Sequence, residues 1–203
     1  MTSPFRTLRA PRGRVASLLV ALAIALAIVL AAGACEDPFK LTATRTNSDV
    51  SLEAWAISGT SPTLPSVLLV PVSTMTRPDA AGSFDLAFDI DANGKAVVLP
   101  VGSIVLSLAG QRQIGFLRST QAYDAILEAP RSGWTNDSTL VLSAGDIFLV
   151  RVQTAFCQFD FRQEVYAKFR IDSILPAERR MRIAGRINPN CGFRSLQTGI
   201  PEF

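Results

Sequence analysis

Ser83 to Val101 reads SFDLAFDIDANGKAVVLPV. Phe84, Leu86, Phe88 and Ile90 alternate with Ser83, Asp85, Ala87, Asp89 and Asp91, the period of a half-buried β-strand. Asn93-Gly94 suits a two-residue type I′ turn, since both residues tolerate positive φ. A turn there pairs Ile90 with Val97, Phe88 with Leu99 and Leu86 with Val101, all on one face.

The same grammar extends in both directions. Val50, Leu52, Ala54 and Ala56 alternate with Ser51, Glu53 and Trp55. Val67 to Val72 is apolar and β-branched, and Pro71, lacking an N–H, predicts an edge strand. Ile104, Leu106 and Leu108 alternate, Gly110 marks a turn, and Ile114 with Phe116 marks the partner. Thr139 to Leu142, the turn at residues 143–146 and Ile147 to Thr154 predict a further hairpin. Val165, Ala167, Phe169 and Ile171 face one way, with Tyr166, Lys168, Arg170 and Asp172 opposite. Met181, Ile183 and Ile187 then alternate with Arg180, Arg182 and Arg186. Ser119 to Pro130 stays open: Tyr123, Ile126 and Leu127 have helical spacing in a short, proline-ended segment. Many short strands with turns between them predict an all-β antiparallel sandwich or barrel-like single domain over residues 50–203.

The N-terminus supplies an address. Arg6, Arg9, Arg12 and Arg14 precede an apolar run from Val15 to Ala34. A cationic start, an apolar stretch and a small-residue end make a signal peptide over residues 1–34. The small residues before Cys35 resemble a bacterial lipobox, although Ala32 stands where leucine is usual. That resemblance implies a lipidated Cys35, a polar tether over residues 35–49 and a bacterial cell-envelope location, with the membrane as partner. Ala32-Gly33-Ala34 also suits ordinary cleavage, and the run is long enough for an uncleaved anchor.

Removing that segment changes the charge. Four of the 20 basic residues belong to it, leaving 16 against 17 acids, a net charge of −1. The calculated pI of 9.0 is thus a property of the leader, and the argument for nucleic-acid binding falls away. With Cys35 lipidated, Cys157 and Cys191 form an even pair, which in an oxidising compartment predicts a disulfide.

The chain has no histidine. Ser-His-Asp and Cys-His catalysis and histidine-ligated metal or haem are excluded. Carboxylate-pair hydrolysis remains, without a spacing that singles out a pair. Asp89, Asp91 and Asn93, followed by Gly94, match the first half of a calcium loop, but position twelve is Pro100 rather than glutamate. The hairpin reading therefore leads there, and no cofactor is expected. Lys168, Arg170, Arg180, Arg182 and Arg186 should share one outer face, a candidate anion-binding surface that also discourages edge pairing.

Two local matches point to a family. Residues 83–88 with Asn93-Gly94 resemble the WDxAF…NG stretch of HmuY-type haem-binding lipoproteins. Residues 165–174, VYAKFRIDSI, are similar to their YAKxxIxxI strand. The resemblance implies an anchored, all-β, exported protein. The family's haem ligands are histidines, so none carries over. The leading functional expectation is a non-enzymatic binding or structural module with an envelope protein or glycan as partner. The alternatives are a histidine-independent haem or small-ligand carrier using Tyr123, Tyr166 or Met181, and a carboxylate-dependent hydrolase.

Overall fold

The computed structural model describes residues 42–105, 113–157 and 164–201. Eleven strands are described: β1 (Ser48–Trp55), β2 (Val67–Leu69), β3 (Thr74–Thr76), β4 (Leu86–Ile90), β5 (Ala96–Pro100), β6 (Ile114–Ser119), β7 (Thr135–Asn136), β8 (Leu140–Leu142), β9 (Ile147–Gln153), β10 (Glu164–Leu175) and β11 (Arg180–Asn188). They form two antiparallel sheets, β1-β11-β10-β9-β6-β7 and β3-β2-β4-β5-β8, not closed into a barrel. Their inner faces share one hydrophobic core, the arrangement of a β-sandwich.

The β10–β11 alternation is realised as expected. Val165, Ala167, Phe169 and Ile171 are buried in the core opposite Met181, Ile183 and Ile187. Gly185 occupies the remaining inward position of β11. Phe169 fills the space above it: a Cβ there would lie 2.3 Å from Phe169 Cδ1. The same ring stacks on Phe148 of β9 at 5.3 Å.

The 83–101 segment is a hairpin with a different register. Asp91 N–H donates to Lys95 O (2.9 Å), and Gly94 N–H to Asp91 O (3.1 Å). The loop therefore holds three residues, with Gly94 left-handed at φ 72°. Asp91 Oδ1 accepts the N–H groups of Asn93 and Lys95, an Asx turn that selects this loop. The pairs become Ile90–Ala96, Phe88–Val98 and Leu86–Pro100. Val98 is buried while Val97 and Leu99 are half-buried, because a one-residue change exchanges the two faces of a strand. Asp85, expected on the outer face, is fully buried, its Oδ2 accepting Val70 N–H at 2.8 Å.

Other corrections follow the chain. β1 begins at Ser48, and the end of the expected tether is packed on the domain: Asn190 Oδ1 accepts Thr44 and Arg45 N–H, and buried Asn47 donates to Ser195 and Gln197 carbonyls. β2 lies between β3 and β4 rather than at an edge; it ends before Pro71, which sits in a 3-10 turn, Val70–Val72. Ile104 lies in the turn that follows the 3-10 segment Val101–Ser103, and Leu106, Leu108 and Gly110 lie outside the described residues. β8 and β9 do not form a hairpin. β8 pairs with β5 and β9 with β10 and β6, so residues 143–146 cross between sheets. Gly145 N–H to Ile171 O (2.7 Å) ties that crossing to β10 beside its bulge.

Residues 120–134 and 193–196 add a second layer. Tyr123–Ala125 is a short 3-10 turn rather than a helix. Ile126, Ala129, Leu149, Tyr166 and Leu196 form a smaller cluster under Trp134. That layer covers part of the outer face of β9–β10, which is why Tyr166 and Lys168 are buried despite their outward parity.

Cys157 and Cys191 form the expected disulfide, with Cα atoms 5.6 Å apart across 34 residues. It joins the ends of β9 and β11, the two neighbours of β10.

Candidate functional site

Antiparallel pairing of β10 and β11 sets Lys168 opposite Arg186, Arg170 opposite Ala184, and Arg182 opposite Ser173. With Arg180 near the hairpin tip, all five expected cations share the outer face. Most of their charge is already engaged. Arg186 Nε and Nη2 donate to the two oxygens of Asp49 on β1, at 2.6 and 3.0 Å. Arg180 pairs with Glu53 at 2.6 Å and with Glu178. Arg170 donates to Asp172 at 2.6 Å. Arg182 stays exposed, opposite Glu53 in the β1–β11 register. The face therefore offers far less unpaired positive charge than its residue count suggests. The Arg186 hydrogen bond also holds the Asp49 carboxyl below its ordinary value.

Lys168 departs furthest from the expected surface role. It is 1 % exposed, and its ammonium donates to Tyr123 O (2.9 Å) and Ile126 O (2.8 Å). It also lies 4.4 Å from the centre of the Tyr123 ring, with the Arg170 guanidinium 5.5 Å from the same ring. Burial, then the Arg186 charge, pushes the Lys168 ammonium below the usual lysine value. Burial likewise pushes the Tyr123 phenol up to about 12. The arrangement is a clamp holding the 120–126 segment against the sheet. No sequence pattern signals it, because the outward parity of Lys168 reads as solvent exposure.

The calcium half-motif is spent on structure. Asp89 Oδ1 accepts from Arg179 at 2.9 Å and Oδ2 from Ser58 at 2.5 Å, while Asp91 Oδ1 closes the turn. No group of three acids, cysteines or histidines able to hold a metal occurs among the described residues. Arg179 was not singled out by sequence. It takes a left-handed conformation (φ 54°) after the 3-10 turn Pro176–Glu178 and also donates to Ile90 O and Ser58 O. It thereby joins the β10–β11 tip to the second sheet.

The residues considered for a carrier do not converge. Met181 is in the core between the sheets, whereas Tyr166 lies on the outer face, 6.0 Å from the Trp134 ring, and Tyr123 packs on Lys168. Two clefts are described. One, about 240 Å³, is lined by Thr42, Thr44, Arg45, Pro71, Phe156, Pro189, Asn190, Cys191 and Phe193. The other, about 310 Å³, lies beside β6 and contains Glu128 as its single acid. Neither cleft presents two facing carboxylates, the geometry a glycosidase-type hydrolase needs. Cys35 and the leader lie outside the described residues. Comparison with protein-family models, with curated proteins and with solved structures finds no match.

Proposed function

We propose that this chain is an exported, lipid-anchored β-sandwich of a bacterial envelope, tethered through Cys35 and acting as a non-enzymatic binding or structural module. The observation that carries the reading is the Cys157–Cys191 bond. A buried, paired disulfide belongs to an oxidising compartment, which agrees with an arginine-headed apolar leader. It also leaves Cys35 as the odd cysteine, at the small-residue site where a lipobox cysteine would stand. The non-catalytic part is supported by how particular acids are used: Asp49, Glu53 and Asp89 pair with arginines, Asp85 accepts a backbone N–H in the core, and Asp91 closes a turn.

The test is to express the full chain and replace Cys35 with Ser. The parent should sediment with membranes and the C35S chain should appear in the soluble fraction. Continued membrane retention of C35S would instead identify the apolar run as an uncleaved anchor.

A further inference from the structure

We infer that the end of the sandwich carrying the start of β1 rests on the phospholipid surface that holds Cys35, with Phe156 seated at the headgroup–acyl boundary. This rests on the acylation proposed above. The pairings Ser48–Ile187 and Val165–Val152 bring the start of β1, the ends of β9 and β11 and the start of β10 to one end of the molecule. There Arg45, Pro71, Phe156 and Cys191 line the 240 Å³ cleft.

Three features favour a lipid surface. First, three of the five exposed large apolar side chains among the described residues belong to segments at this end. Phe156 is 58 % exposed, Val72 (43 %) follows Pro71 of the cleft, and Ile200 (56 %) follows Gly199, whose carbonyl accepts Asn47 N–H. Second, the backbone that carries Phe156 is held. Cys157 beside it is buried and disulfide-bonded, Cys157 N–H donates to Thr154 O, and Phe156 N–H donates to Thr154 Oγ1. A backbone already fixed at this position lowers the conformational cost of placing the ring in the bilayer. Third, the reach is short. Six residues lie between Cys35 and Thr42, seven Cα–Cα steps in all. Fully extended they span no more than about 25 Å, so an acylated Cys35 keeps this end close to the bilayer. Arg45, exposed at the rim, is placed for a lipid phosphate. The acyl chains supply one membrane signal, and the Phe156 end adds a second that fixes orientation.

The test uses the full chain, isolated with its membrane fraction and reconstituted in phosphatidylethanolamine–phosphatidylglycerol vesicles containing bromine-labelled acyl chains. Phe156→Trp and, independently, Val72→Trp introduce an indole at this end. Val141→Trp introduces one on β8, which leads into the opposite end of β9. The expected result is a blue shift and loss of most of the introduced emission for Phe156→Trp and Val72→Trp, with the Val141→Trp emission retained. Equal quenching at all three positions, with acyl mass present on the chain, overturns the docking and leaves the anchor standing. A chain that carries no acyl mass and does not stay with the vesicles overturns both.

Discussion

The Lys168 clamp has measurable consequences at the level of single side chains. Its ammonium supplies hydrogen bonds to two carbonyls of the 120–126 segment. Lys168→Met keeps the bulk but leaves those carbonyls without their donor, and should cost about 2 kcal/mol, read from the urea midpoint. Tyr123 titrates in the same environment, with its folded value raised to about 12 from 10.0. A raised acid favours the neutral phenol in the fold. Its contribution is fully present below pH 10 and lost as pH rises through 12. Ultraviolet absorbance should therefore show a phenol ionising well above the ordinary tyrosine range, and Tyr123→Phe should flatten alkaline unfolding between those values. Asp49 has the opposite sign. Its folded value lies below 3.8, so the Asp49–Arg186 contribution is present above 3.8 and lost on further acidification. Because Asp49 is largely exposed, Asp49→Asn should remove less than about 1 kcal/mol at neutral pH.

Among the elements, two glycines do different work. Gly94 holds the left-handed position of the β4–β5 loop, so Gly94→Ala should cost about 1 kcal/mol through backbone strain. Gly185 is needed for space, and Gly185→Ala forces Phe169 off its packing at an expected cost of about 1–3 kcal/mol in thermal or denaturant unfolding. The strands themselves were legible because apolar alternation reports parity, which is why the inward residues of β10 and β11 agree with the sequence reading. Register and partner choice were less legible. The Asn93-Gly94 pair suggested a two-residue loop, while the Asp91 carboxylate, by capturing two N–H groups, set a three-residue one. The turn after Leu142 looked like any hairpin turn, yet its strands enter different sheets, a choice made by long-range pairing with β5 and β10. The outer face of β10 departs from its sequence reading for a related reason. Parity identifies which side a residue faces, and it is blind to a distant segment such as 120–134, earlier in the chain, that folds over that side. The cation cluster was found by sequence, whereas its neutralisation by Asp49 and Glu53 depends on β1 pairing with β11 from the far end of the chain.

For the molecule as a whole, the sandwich is closed at one end by a covalent bond. Cys157–Cys191 constrains 34 residues of separation and should stabilise by about 3–4 kcal/mol relative to the reduced chain on the loop-entropy account. Guanidinium unfolding with and without reductant should show that difference, and the Cys157→Ser/Cys191→Ser double variant should match the reduced parent. The same bond separates three cysteines into one pair and Cys35, the residue proposed above for acylation. Intact-mass analysis of the membrane fraction, with alkylation before and after reduction, tests that division most directly. The account predicts a chain beginning at Cys35 that carries acyl mass and takes up two alkyl groups only after reduction. A mature chain without acyl mass, or one alkylated at Cys157 and Cys191 before reduction, would contradict it.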